Sequence, residues 1–259
     1  DGNYPVGTGN VALGNTALDS VEAGGTYNVA LGDAAGTAIT TGDGNVGVGA
    51  DALLLNSSGG YNTALGTSSV RNNTTGNYNV GLGQGALYSN TTASNNTAVG
   101  YQALFDNTTA ERNTAVGRLA AANTTTGADN TAMGSAALTT NTTGATNIAI
   151  GASALRLNTT ASNNTAVGFE AGYSNTTGVQ HVAMGRQALY SNTTGNQNTA
   201  IGQRALYDNS TGSSNVALGY SALENNTTAS NNTAVGYQSL LANTTGSALT
   251  AVGTAALDA

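Results

Sequence analysis

Few side chains in this 259-residue chain can do acid–base, nucleophilic or metal chemistry, and their spacing does not gather them. There is one histidine, His181, and no cysteine. A hydrolytic triad needs a nucleophile, a base and an orienting group in mutual contact. A metal centre needs several converging ligands. His181 stands in a sequence column otherwise held by asparagine, so it reads as a substituted turn residue. Asp106, Asp129 and Asp208 fall on turn-side positions, with no dense acidic repeat and no Gly-Gly-x-Gly-x-Asp calcium pattern. No pair of carboxylates is set out for glycoside hydrolysis. The glycines close strands and do not lead into a helix as a phosphate loop would. We therefore expect no enzyme, and no catalytic, cofactor-binding or metal-binding residue.

Two other residue types offer chemistry. Asn-Thr-Thr recurs at Asn90, Asn107, Asn141, Asn158, Asn175, Asn192, Asn226 and Asn243. This is both an N-glycosylation acceptor sequence and a turn in which the amide bonds nearby backbone. The repeat needs the turn, so the structural reading is preferred. Aromatic rings also recur, at Tyr88, Phe105, Tyr173, Tyr190 and Tyr207, and at Tyr101, Phe169, Tyr220 and Tyr237. Packing is the plain reading. A tyrosine among polar neighbours also suits a sugar ring, which makes Tyr88, Tyr101, Tyr190, Tyr207, Tyr220 and Tyr237 candidate glycan contacts.

All of these residues are positioned by one repeated unit, seen in Asn96-Thr97-Ala98-Val99-Gly100-Tyr101-Gln102-Ala103-Leu104. Its closing glycine falls at Gly14, Gly32 and Gly49, then every 17 residues to Gly253. Numbering columns from the asparagine, column two is always β-branched, column three is Ala or Gly, column four is Val, Leu, Ile or Met, and column five is Gly. Columns eight and nine are usually Ala-Leu. β-Branched residues at alternate positions favour a strand. Two extended runs separated by Asn, Gly, Ser and Thr clusters predict strand, turn, strand, turn. A helix is disfavoured by the short run between breakers and the internal glycine.

Such units stack as coils of a parallel β-solenoid, about 4.8 Å per coil, giving a rod on the order of 70 Å over fifteen coils. Residues 1–9 are set apart as an entry segment or cap, with Pro5 unable to donate a ladder bond. Residues 10–259 form the solenoid, with irregular first turns and an incomplete last repeat. Columns two and four on one side of the strand, and three and five on the other, all lack charge. Both faces are thus expected to be buried, one of them against a partner chain.

The units Asn10-Val11-Ala12-Leu13-Gly14, Asn147-Ile148-Ala149-Ile150-Gly151 and Asn215-Val216-Ala217-Leu218-Gly219 resemble the head repeats of trimeric autotransporter adhesins. The longer Asn-Thr-Ala-Val-Gly-Tyr-Gln-Ala-Leu form is also similar to phage tail-fibre shafts. The resemblance covers about residues 10 to 259. It implies a left-handed β-roll, a homotrimer, a place on a virion tail or bacterial surface, and attachment to a host or surface as the task. The adhesin coils are shorter than these, so the outer turn here is larger.

Composition narrows the partners. Six arginines, no lysine and a net charge of −7 argue against nucleic acid. No apolar run is long enough to cross a membrane. Strict apolar periodicity with a single proline argues for order despite the low complexity. The final unit stops with no cap, which suggests a piece of a longer fibre or an end-stacking filament subunit. The threonine columns raise a second possibility, a repetitive surface for polysaccharide or ice. The paired threonines point to opposite sides, however, so only one column could face solvent.

Overall fold

The computed structural model describes residues 7–22 and 24–257. Pro5 and the rest of residues 1–6 lie outside the described residues, as do Ala23, Asp258 and Ala259. The chain divides into two compact units, Asp1–Asp129 and Asn130–Ala259. Each is a parallel β-solenoid with one three-residue strand per coil. The first holds β1 (Val11–Leu13), β2 (Val29–Leu31), β3 (Val46–Val48), β4 (Thr63–Leu65), β5 (Val80–Leu82), β6 (Thr97–Val99) and β7 (Thr114–Val116). The second holds β8 (Thr131–Met133), β9 (Ile148–Ile150), β10 (Thr165–Val167), β11 (Val182–Met184), β12 (Thr199–Ile201), β13 (Val216–Leu218), β14 (Thr233–Val235) and β15 (Thr250–Val252). Within each unit like residues pair with like: Thr97 lies opposite Thr114, and Ala166 opposite Ala183. There is no helix among the described residues.

The strand stops at the column-five glycine for a reason that only glycine satisfies. Gly151 has φ 131°, and a Cβ there would lie 2.3 Å from the carbonyl oxygen of Gly168 in the next coil. Both the dihedral and the close approach of neighbouring backbones exclude a side chain.

The second extended run expected in each coil is not a strand. Columns seven and nine are left-handed, as at Gln102 (φ 52°) and Leu104 (φ 50°). Their N–H groups turn to opposite neighbours: Gln102 donates to the Gln84 carbonyl, and Leu104 to that of Ala120. The physical reason lies in the adjacent Ala-Leu pair. Successive residues of a strand face opposite ways, yet Ala103 and Leu104 are both fully buried. The left-handed turns let neighbours in sequence enter the same core. Each buried leucine contributes about 2 kcal/mol.

Within the single chain only one face of the strand is buried. Column three is the core side, with Ala98, Ala132 and Ala166 fully buried. Columns two and four face outward and are half-buried or exposed, as in Thr97-Ala98-Val99 and Ile148-Ala149-Ile150.

The register also begins earlier than the boundary set at residue 10. Tyr27 N–H donates to the Thr8 carbonyl, and Asn10 Nδ2 donates to the Gly25 carbonyl. Gly7, Thr8 and Gly9 therefore occupy the last three columns of a preceding coil. In the first two coils Val21 and Ile39 take the column-twelve place of asparagine, and both are buried in an apolar cluster with Leu18 and Ala35.

Candidate functional site

The most ordered chemistry in the molecule is internal. Asparagines of columns one and twelve are buried in almost every coil, among them Asn96, Asn107, Asn147 and Asn158. A buried amide is tolerable only when its donors and acceptor are met. Here both columns converge on one carbonyl per coil. The Ala110 carbonyl accepts from Asn96 Nδ2 at 2.9 Å and from Asn107 Nδ2 at 3.1 Å. The Ala161 carbonyl accepts from Asn147 at 2.8 Å and Asn158 at 3.0 Å. The Oδ1 atoms in turn accept from the following coil, with Asn107 the exception: Asn113 N–H donates to Asn96 Oδ1, and Asn175 Nδ2 to Asn158 Oδ1. The Asn-Thr-Thr turn is thus a core element.

Two further ladders lie outside the core. Column-thirteen hydroxyls donate to the next coil's column-thirteen carbonyl, as Thr91 to Thr108 and Thr176 to Thr193, each near 3 Å. Column-sixteen side chains accept from the preceding coil's N–H, as Ser94 Oγ from Asn77 and Asn196 Oδ1 from Val179. Column fourteen does neither. Thr75, Thr92, Thr109, Thr143, Thr160 and Thr177 are exposed in this column.

His181 takes an asparagine's place and much of its bonding. It is 2% exposed. Its N–H donates to Asn164 Oδ1, and Asn198 N–H donates to Nδ1 at 3.2 Å. A backbone N–H only donates, so Nδ1 is bare and the proton sits on Nε2. Burial pulls the imidazole pKa down to about 4, against smaller opposing effects from backbone hydrogen bonds to Gly195 and Asn198. Among the described residues no three His, Cys, Asp or Glu side chains gather as metal ligands. No helix is long and apolar enough to cross a membrane. Asp106 and Asp208 have their carboxyl pKa raised by partial burial, and at Asp208 also by Glu224. Asp129 is held below the usual range by its hydrogen bond to Arg112.

The six candidate tyrosines do not converge; they occupy two separate columns. Tyr88 stacks on Phe105 with centroids 4.9 Å apart, and Arg71 stands 5.6 Å from its ring. Tyr190 lies between Tyr173 and Tyr207, at 5.1 and 5.0 Å. Tyr207 also carries the Arg204 guanidinium at 4.5 Å. These rings spend their faces on neighbouring coils and offer mainly edges and hydroxyls. Tyr220 and Tyr237 stack at 5.3 Å in column six, where Tyr101 is flanked by Gln84 and Arg118. Column six is the more exposed: Tyr237 is 51% accessible.

A third aromatic column escapes the sequence reading. Tyr27, Tyr61 and Tyr78 precede the column-one asparagine, and all are exposed. Tyr61 and Tyr78 stack at 5.3 Å and 4°. Their recurrence one residue before Asn28, Asn62 and Asn79 is the signal that could have found them. Columns two and four form the outward sheet face, flanked along the chain by columns seventeen and six. Its centre is threonine and aliphatic, including exposed Leu65, Met133, Ile150, Met184 and Leu218. Its rims are aromatic or polar.

No protein-family profile, curated protein or solved structure matches this chain.

Proposed function

We propose that the chain is a shaft module of an extracellular structural fibre, a trimeric phage tail fibre or bacterial surface adhesin, serving attachment to a host or surface. In this reading three copies pack through the outward sheet faces, with left-handed coils and the tyrosine edges available for weak glycan contact. The observation that carries it is the outward aliphatic stripe of column four beside the threonine, valine and isoleucine of column two. Strand spacing and rise give the face of β8–β15 about 800 Å², roughly one partner's share of a standard interface. An apolar centre with a polar rim is the usual anatomy of such a patch. Light scattering over a dilution series tests it. A constant mass of three chains is the expected result; a monomer at every concentration removes the reading.

A second reading rests on column fourteen, whose exposed threonine hydroxyls repeat coil after coil. It makes the chain a binding module for polysaccharide or ice. Thermal hysteresis or glycan-array binding that disappears on Thr→Val replacement along that column would favour it. Mass that grows with concentration would instead favour a self-assembling filament subunit.

A further inference from the structure

The Asn-x-Thr and Asn-x-Ser sequences of this chain fall into three columns, and the fold treats them differently. In column twelve, Asn56, Asn73, Asn90, Asn107, Asn141, Asn158, Asn175, Asn192, Asn209 and Asn226 are fully buried and Asn243 is half-buried, and each Nδ2 is bonded inside. A sugar on any of these nitrogens has no room and would remove a ladder donor. In column eleven, Asn72 and Asn225 have their second-following residues, Thr74 and Thr227, in column thirteen. Those hydroxyls donate to the Thr91 and Thr244 carbonyls. The same column holds Asn123, followed by Thr124-Thr125.

Column seventeen differs from column twelve in exposure and from column eleven in its hydroxyl. Asn95, Asn163 and Asn231, each beginning Asn-Asn-Thr, are exposed, as are Asn123 and Asn225 of column eleven. The hydroxyls two residues on, at Thr97, Thr165 and Thr233, are not tied to a carbonyl of the next coil as those of Thr74 and Thr227 are. The middle asparagine enters the core as column one. Of the outer two residues, Asn95, Asn163 and Asn231 are exposed, and Thr97, Thr165 and Thr233 are half-buried at the start of the strand. Acceptor amide and neighbouring hydroxyl are therefore both accessible, as an Asn-x-Thr recognition site requires. The Asn163 amide reaches the preceding coil: the Thr146 hydroxyl lies 2.8 Å from Asn163 Oδ1 and 2.6 Å from the Ala145 carbonyl.

The fold does not require asparagine here. The position is left-handed, a conformation that asparagine tolerates well. Yet Tyr78, Arg112, Gln180, Gln197 and Ser214 hold the same column with φ between 56° and 62°. The Ala-Ser-Asn-Asn-Thr-Ala-Val-Gly block returns intact at 93–100, 161–168 and 229–236, once in every four repeats.

We propose that Asn95, Asn163 and Asn231 are N-glycosylation sites of the folded protein, with a nucleoside-diphosphate sugar as donor. In the transfer the Asn Nδ2 forms a bond to the sugar C1, and the C1–O bond to the diphosphate breaks. The diphosphate leaves with the electron pair, and the amide gives up one proton to the transferase's base. The sugars would stand along one rim of the sheet face. The assignment does not rest on the fibre reading and competes with it for one face, since column two carries the recognised hydroxyl and would also pack against a partner chain.

The test is to incubate the native protein with a soluble Asn-x-Ser/Thr glycosyltransferase and its nucleoside-diphosphate hexose, then map peptides by mass spectrometry. One hexose each on Asn95, Asn163 and Asn231 is expected, with the column-twelve asparagines labelled only after denaturation. Thr97→Val, Thr165→Val and Thr233→Val should each abolish labelling of the matching asparagine. Valine already occupies this column at Val80 and Val182, so these variants keep the fold. Labelling of native protein at column twelve, preference for column eleven, or no labelling at the three sites while the denatured chain accepts sugar there would each overturn the assignment.

Discussion

The inside and the outside of one coil obey different rules. Inside, columns one, three, eight, nine and twelve barely vary, because each side chain meets its own kind in the coils above and below. Outside, column seventeen holds Tyr78, Asn95, Arg112, Asp129, Thr146, Asn163 and Gln180 in successive coils, with little change in backbone angle. The repetition that marks the sequence is therefore mostly the fold's own requirement. Information about partners belongs in the columns that vary, or in those constant without a packing reason, such as the exposed threonines.

That contrast can be broken most severely at the strand end. Gly151→Ala should cost about 3 kcal/mol or more, from a forced left-handed dihedral plus overpacking against Gly168; loss of the folded baseline in urea melts would report it. Next in size is acid. His181 has a folded pKa of about 4 against about 6.5 unfolded. The unfolded state binds the extra proton first, so the stability held above pH 6.5 drains away as pH falls toward 4. The loss is about 3 kcal/mol below pH 4. Denaturant titrations of the native protein and His181→Asn at several pH values should show this limb only with histidine present.

Asn158→Ala is expected to cost about 2 kcal/mol, since it strips a donor from the Ala161 carbonyl and an acceptor from Asn175. A repair should work in the other direction. Asn107 Oδ1 is buried without a hydrogen-bond partner, and the next coil has Thr124 where asparagine is usual. Thr124→Asn should gain about 1 kcal/mol by giving that oxygen an amide. At the bottom of the scale, Thr177→Ala in the exposed column should shift stability by under about 0.5 kcal/mol. A large loss there would mean that the outer threonines serve the fold after all.

Much of the interior was legible because a fixed period names its columns. The 17-residue spacing, the parallel stacking and the amide ladders all follow from Asn, Ala and Gly recurring in place. What was missed lay where backbone departs from a two-residue alternation. Ala103-Leu104 looked like part of a strand, although two adjacent core residues already contradict one. The left-handed geometry at Gln102 and Leu104 has no glycine to announce it. The outward turn of columns two and four could not be separated from burial, because Thr and Val suit a half-covered surface as well as a core. Tyr61 and Tyr78 are not marked by the 17-residue period, because their column varies from coil to coil.

The amide ladders have a direction. In column twelve each Nδ2 reaches back to the Oδ1 of the coil before it, as Asn107 does to Asn90 and Asn192 to Asn175. In column one both the backbone N–H and Nδ2 do the same, as in Asn96 to Asn79. The amide dipoles within a unit therefore line up head to tail, much as peptide dipoles do in a helix. A partly built stack presents bare oxygens at its growing, later-synthesised end and bare N–H groups at the other. Each new coil at that end arrives carrying the donors that those oxygens lack, so the preceding coil acts as its template and the new coil's own oxygens become the template for the next.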